Sequence, residues 1–137
     1  HIALQRLPGD TAPSLCRFHD DCVEGLIAGP AVRARFGREL AAADPDGPEV
    51  ALLAEYLGQL CANLALTLSP HRIVIGGGVS QVPGLLRAGQ MAMLRRLGGY
   101  ATGASDDPAY LCAPALGQDA GITGALLLGA EAANLSA

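Results

Sequence analysis

Two cysteines and a histidine lie close together near the start of the chain, where Cys16, His19 and Cys22 have the spacing C-x2-H-x2-C. A second histidine, His1, lies upstream of them. Thiolate and imidazole groups are ligands that Zn²⁺ prefers, commonly four of them in a tetrahedron. Because each two-residue gap lets neighbouring side chains turn toward one point, we predict that these four residues form a structural zinc site.

Other interpretations of this cluster stay open on the sequence alone. The three residues could have come together by chance in a loop, or Cys16 and Cys22 could form a disulfide. Four cysteines without a signal peptide favour a reducing compartment, and no C-x-x-C redox motif is present, so zinc is the favoured prediction. Glu24 follows Cys22 by two positions, and a bound metal would fix its carboxylate in space. The alternative for Glu24 is a solvated acid at the start of a helix.

The composition limits the possible functions. The chain has 137 residues, of which 50% are hydrophobic and 16% charged, which indicates one folded domain with a core rather than a disordered segment. A net charge of −4 gives no basic surface for nucleic acid or an anionic membrane. All nine basic residues are arginine, so the chain has no lysine for a Walker A loop or a Schiff base.

The elements that position these residues follow from periodicity and turn signals. Residues 1–22 contain Pro8, Gly9 and Pro13 and predict a short strand followed by a long loop. Strands are predicted over 72–75 and 109–113, and helices over 23–28, 30–36, 49–68, 83–97 and 120–133.

The helix over 49–68 carries the strongest pattern. Its apolar residues recur at helical spacing from Leu53 to Leu68, which predicts a buried stripe. Glu55 within the same run favours a core helix over a membrane span. Cys61 and Cys112 are predicted to be core residues.

Three glycines, Gly76, Gly77 and Gly78, follow the predicted strand over 72–75, which is expected to be buried, and precede the helix over 83–97. A strand–glycine–helix junction lets backbone N–H groups approach a phosphate. The stretch is not a Walker A loop, and Gln81 occupies the third glycine position of the dinucleotide pattern G-x-G-x-x-G. An ordinary turn is therefore the alternative to a phosphate-binding loop.

Together these motifs resemble the ROK family of sugar kinases (repressor, open reading frame, kinase), and more closely its bacterial fructokinases. That group carries Gly-His-Ile, then Cys-x-x-His-x-x-Cys-x-Glu-Gly, then Gly-Pro-Ala, which correspond here to His1-Ile2, residues 16–25 and residues 29–31. Gly-Gly-Gly-Val at 76–79 and the closing motif at 116–125 extend the resemblance over nearly the whole chain. The ROK glucokinases and N-acetylmannosamine kinases usually have Cys-x-Cys-Gly-x-x-Gly-Cys-x-Glu instead, so the histidine in the loop favours fructokinase.

The resemblance implies an α/β fold: an RNase H-like domain of the actin-like ATPase (sugar kinase) superfamily with a zinc-binding loop. It implies one domain over 1–137, the C-terminal domain of a ROK sugar kinase. Within it, 1–22 is the zinc-binding loop region and 23–137 the nucleotide- and sugar-binding part. The glycines and alanines of the closing motif are expected to allow close packing of the last helix.

The resemblance also implies roles for individual residues. The zinc ligands would be His1, Cys16, His19 and Cys22; the sugar-binding carboxylate would be Glu24; and the ATP contacts would be Pro30, Gly76, Gly77, Gly78, Val79 and Ser80. The family's catalytic aspartate belongs to its N-terminal half, and no residue here matches it. The chain alone is therefore expected to be inactive.

The implied activity is ATP-dependent phosphorylation of a hexose, D-fructose being favoured, with Mg²⁺ accompanying ATP and with structural Zn²⁺. A cytoplasmic homodimer that binds neither nucleic acid nor membrane is expected. The alternatives are a ROK kinase of glucose or mannose, a sugar-responsive ROK transcriptional repressor, and a zinc-stabilised interaction domain.

Overall fold

The protein's structure is a computed structural model that describes residues 1–100 and 107–135. Part of the loop predicted between Gly98 and Asp107, residues 101–106, lies outside them. The helices are α1 (Val23–Ile27), α2 (Gly29–Phe36), α3 (Pro48–Leu68), α4 (Leu85–Leu97) and α5 (Ala120–Leu135), the strands are β1 (Ile73–Val74) and β2 (Leu111–Cys112), and 3-10 turns cover Gly78–Gln81 and Gly117–Asp119. The mixed helix and strand composition predicted from the sequence is confirmed.

The core is built around the crossing of α3 and α4. A Cβ atom added at Gly58 would lie 2.5 Å from the Ala92 Cβ and 2.8 Å from the Met93 nitrogen, so only glycine permits this approach. Cys61 is fully buried, as predicted, and burial raises the pKa of its thiol to about 12. Leu68 was predicted to lie on the buried stripe, but it is 67% exposed because the described residues leave the last turn of α3 uncovered.

Helix α3 also has the length and hydropathy of a membrane span, with a mean hydropathy of 1.3. However, 56% of that span is buried inside the structure, as is usual for a core helix of a soluble domain. Its apolar character is therefore explained by packing.

Strands β1 and β2 pair in parallel, with Ile73 opposite Leu111 and Val74 opposite Cys112. Both strands are shorter than predicted. Ile73 is buried but Val74 is 56% exposed, so the prediction of a buried strand is correct for one face only. Cys112 is half-buried rather than fully in the core.

Helix α5 forms where the closing motif predicts it, but the close packing expected of its glycines is wrong for the described residues. A Cβ atom added at Gly121, Gly124 or Gly129 would meet no atom within 4 Å. Four large apolar side chains on α5 are more than half exposed: Ile122, Leu126, Leu127 and Leu128. The sequence of α5 contains the small residues that close packing needs, but no other part of the described structure packs against its glycines.

Residues 1–22 have little regular structure and are held to α3 by side chains. The Gln59 side chain donates to the Gln5 carbonyl and accepts from the Gln5 N–H, both at 2.8 Å. The Tyr56 hydroxyl accepts from the Leu7 N–H at 3.1 Å. Because these backbone groups have no ladder to pair with, the α3 side chains supply the hydrogen bonds they need.

A buried ion pair connects the same segment to α2. The Asp10 carboxylate accepts from Arg35 Nη1 at 2.7 Å and from the Tyr56 hydroxyl at 2.5 Å, and the Asp10 and Arg35 side chains are only 4% and 8% exposed. Burial by itself raises the pKa of Asp10, but the hydrogen bonds from Arg35 and Tyr56 outweigh it and hold that pKa at about 2. Asp10 thus joins the segment to α2 and α3 as a charged group.

We expect Asp10→Asn to lower the free energy of unfolding by about 3 kcal/mol, because Arg35 would stay buried without its counter-ion. The matched control is Asp46→Asn, which breaks an exposed pair with Arg87 and is expected to cost less than about 0.5 kcal/mol. Urea denaturation measures both values. The Asp10 pKa is lowered in the folded protein. The difference in free energy of unfolding between the wild type and Asp10→Asn should therefore shrink as the pH falls from 3.8 toward about 2. Equal losses for the two variants would contradict this role of Asp10.

Candidate functional site

The four predicted metal ligands lie together. Donor atoms of His1, Cys16, His19 and Cys22 are all within 4.8 Å of one another. The Cys16 Sγ is 3.5 Å from His1 Nδ1 and 3.6 Å from His19 Nδ1, and the Cys22 Sγ is 3.8 Å from His1 Nδ1. In a tetrahedral site with zinc–sulfur and zinc–nitrogen bonds of about 2.3 and 2.0 Å, neighbouring ligand atoms lie about 3.5 Å apart. The cluster could therefore hold Zn²⁺, and all four cysteines of the chain are free, so no disulfide joins Cys16 to Cys22.

Backbone pairing brings the first histidine to the cysteines. An antiparallel bridge joins Ala3 to Cys22, and the Val23 N–H donates to the Ile2 carbonyl at 3.0 Å. This pairing sets His1 beside Cys22, although 20 residues separate them in sequence.

Hydrogen bonds within the loop place the other two ligands. The Ser14 hydroxyl donates to the His19 carbonyl at 2.7 Å and accepts from the Cys16 N–H at 3.2 Å. Ser14 therefore fixes the backbone on both sides of the first cysteine.

The electrostatics of the loop favour a thiolate at Cys16. The Phe18 N–H donates to the Cys16 Sγ at 3.4 Å, and with a further hydrogen bond from His19 it lowers the Cys16 pKa to about 7. A thiolate is the form that binds a metal, so the arrangement favours metal binding near neutral pH.

Glu24 is placed by the contact between α1 and the loop. A Cβ atom added at Gly25 would lie 1.9 Å from the Ser14 Oγ and 2.9 Å from the Cys16 Cβ, so α1 can approach the loop only with glycine there. The Leu15 N–H donates to the Gly25 carbonyl at 3.0 Å. Glu24 lies in the first turn of α1 and is exposed, with its carboxylate available to a ligand.

A second part of the candidate site is a cleft between α2 and the glycine loop. One cavity of about 460 Å³ includes Pro30 and Gly78 in its lining, and a neighbouring cavity of about 290 Å³ includes Gly78 and Val79. The structure thus brings three of the six predicted nucleotide-binding residues to one cleft. The other three, Gly76, Gly77 and Ser80, adjoin it in sequence but do not line either cavity.

The glycine loop differs from its predicted form. It leads into the 3-10 turn Gly78–Gln81, in which the Ser80 hydroxyl donates to the Gly77 carbonyl at 2.7 Å. The helix predicted from Pro83 begins only at Leu85, because Gly84 takes a left-handed conformation with φ +74°. The amides that could meet a phosphate are therefore those of the glycine loop and its 3-10 turn.

Sequence reasoning missed two charged residues of the cleft, Arg33 and Glu39. Both line the larger cavity, and they form an ion pair with each other. Their six-residue separation across the end of a helix belongs to no motif, so nothing in the sequence marked them.

A sequence model of a known protein family matches nearly the whole chain. This family model is described as the ROK family, and it matches residues 1–132. The chain belongs to the ROK family. Membership places it in the actin-like ATPase superfamily of sugar kinases, as the sequence motifs predicted.

Individual relatives are named fructokinase. The fructokinase of Pediococcus pentosaceus is 38% identical over 128 residues, which cover 93% of this chain and 44% of the relative. The fructokinase of Zymomonas mobilis subsp. mobilis (strain ATCC 31821 / ZM4 / CP4) is 37% identical over 121 residues, covering 87% of this chain and 40% of the relative. The chain therefore spans less than half the length of these relatives.

We expect the purified protein to contain about one zinc ion per chain, and Cys16→Ser to reduce that content to near zero, because a hydroxyl is a poor substitute for a thiolate ligand. The matched control is Cys112→Ser, which changes a half-buried cysteine outside the cluster and should keep the metal. Atomic emission spectroscopy gives the metal-to-protein ratio. A zinc-free wild type, or an equal loss in both variants, would contradict the assignment.

Proposed function

We propose that the protein containing this chain transfers a phosphoryl group from ATP to a hexose, with D-fructose as substrate and fructose 6-phosphate as product. Membership of the ROK family and two relatives named fructokinase support the reaction. The observation that carries the proposal is the exposed carboxylate of Glu24, which lies next to a loop with four clustered candidate metal ligands.

His1, Cys16, His19 and Cys22 would hold a structural Zn²⁺ ion. When bound, the ion would supply rigidity to a loop that has few apolar contacts of its own, since metal-binding energy becomes folding energy in such a segment. Two thiolates neutralise the charge of the ion, so Glu24 is not needed as a ligand.

Glu24 would bind the sugar. A carboxylate offers two acceptor oxygens, which suit a pair of neighbouring hydroxyl groups on a hexose. Because Glu24 is the second residue of α1, the loop that meets α1 at Gly25 sets the position of its carboxylate.

ATP, accompanied by Mg²⁺, would bind at the cleft through Pro30 and the loop Gly76–Gly77–Gly78–Val79–Ser80. Glycines allow backbone N–H groups to approach phosphate oxygens closely, and phosphoryl transfer depends mainly on positioning and charge stabilisation. The base that accepts the sugar proton would lie outside these 137 residues, as the family resemblance implies, and the chain alone would be inactive.

The wider architecture belongs to the same proposal. Residues 1–137 would form an RNase H-like C-terminal domain, with 1–22 as the zinc-binding region and 23–137 as the nucleotide- and sugar-binding part. The protein would act in the cytoplasm as a homodimer, without binding nucleic acid or membranes.

We expect the intact protein to phosphorylate fructose in a coupled assay, and Glu24→Gln to lower kcat/KM for fructose by about 100-fold with little change in the KM for ATP, since a charged hydrogen-bond acceptor is lost. The control is Glu49→Gln, which changes another acid in the first turn of a helix. Glucose and mannose tested in parallel define the hexose.

Turnover of glucose or mannose in preference to fructose would overturn the choice of substrate. Sugar binding without phosphorylation of any hexose would favour the transcriptional repressor instead. Equal effects of Glu24→Gln and Glu49→Gln on kcat/KM would contradict the proposal that Glu24 binds the sugar.

A further inference from the structure

The two cavities of the cleft share part of their lining. Gly29, Glu39 and Gly78 border both of them. Among the described residues, Glu39 is therefore the one ionisable side chain that lines both cavities. A ligand that extends from one cavity into the other would have to pass this carboxylate.

The smaller cavity has an apolar wall. Exposed Ala41 and half-buried Val79 give it apolar surface, and Val32, Leu40 and Val82 also border it but are almost fully buried, at 3%, 1% and 6% exposed. A planar, weakly polar ring can be buried against such a surface. The smaller cavity therefore suits the base of a nucleotide.

The Glu39 carboxylate is held in place by Arg33. Arg33 Nη2 donates to Glu39 Oε1, and the two are brought together because Gly37, with φ +67°, ends α2 and reverses the chain. Their side chains are 69% and 61% exposed, and exposed pairs of this kind add little to stability. The pair thus orients a carboxylate at the cleft without being required by the core.

We propose that Glu39 selects the ribose of the bound nucleotide, accepting hydrogen bonds from its 2′- and 3′-hydroxyl groups. The two carboxylate oxygens suit a vicinal diol, and Arg33 acts as a positioning residue that holds them toward the junction of the cavities. The base lies against Ala41 and Val79 in the smaller cavity, and the phosphates extend past Gly78 into the larger one. This inference rests on the proposed ATP site and makes it specific for ribonucleotides.

The test compares ATP with 2′-deoxy-ATP in the phosphorylation assay of the intact protein. The wild type is expected to prefer ATP by about tenfold in kcat/KM, and Glu39→Ala to bring that ratio close to one, mainly through a higher KM for ATP, because a hydrogen bond to a charged group is lost. Arg33→Ala should lower the ratio in the same direction, and Arg33→Lys should restore part of it.

The matched control is Glu49→Ala, which breaks another Arg–Glu pair, with Arg38, outside the cleft. It is expected to keep the wild-type ratio. A ratio that Glu39→Ala leaves unchanged in an active enzyme would overturn the role of Glu39 and leave the proposed kinase reaction intact.

Calorimetric titration with ATP and with 2′-deoxy-ATP separates the two proposals if no hexose is phosphorylated. Tighter binding of ATP that depends on Glu39 would then support the ribose contact while the kinase reaction fails. Equal binding of the two nucleotides, or binding of neither, would overturn the inference.

Discussion

The structure depends on how residues 1–22, a segment with little regular secondary structure, are fixed to the helical core. Its backbone pairs through the bridge of Ala3 with Cys22 and a few further backbone hydrogen bonds, and side chains of the core satisfy other backbone groups. Gln59 satisfies both backbone groups of Gln5, and Asp10 brings a charge into a nearly buried contact with Arg35. Since unpaired buried polar groups are costly, these contacts set one position for the segment and thereby for the candidate metal ligands near its end.

The position of Glu24 follows from this arrangement. Helix α1 has only five residues, and a helix so short is not stable by itself in water. Its direction is set by the loop against Gly25, where no side chain larger than hydrogen can be accommodated, and by the Leu15 hydrogen bond. The chemistry proposed for Glu24 therefore relies on the folding of the loop, which in turn would rely on the metal.

Features with a short-range signal could be predicted from the sequence. The helices were predicted within about two residues of their observed bounds, because proline, glycine and apolar periodicity act locally. The ligand cluster was predicted from the spacing of Cys16, His19 and Cys22. Contacts between distant segments leave no such signal, so the Asp10–Arg35 pair was missed. The Arg33–Glu39 pair is local, but it was missed because its spacing belongs to no motif. The exposure of Leu68 and the absence of a described partner for α5 depend on what covers a helix, and periodicity alone cannot give that.

The most direct test of the account is hydrogen exchange of the protein with zinc bound and after chelation. Removal of zinc is expected to increase exchange at residues 12–28, which include α1 and Glu24, while the amides of α3 and α4 keep their protection because these two helices pack mainly against each other. Unchanged protection at residues 12–28 after zinc is removed would contradict the claim that the metal holds the loop and positions Glu24.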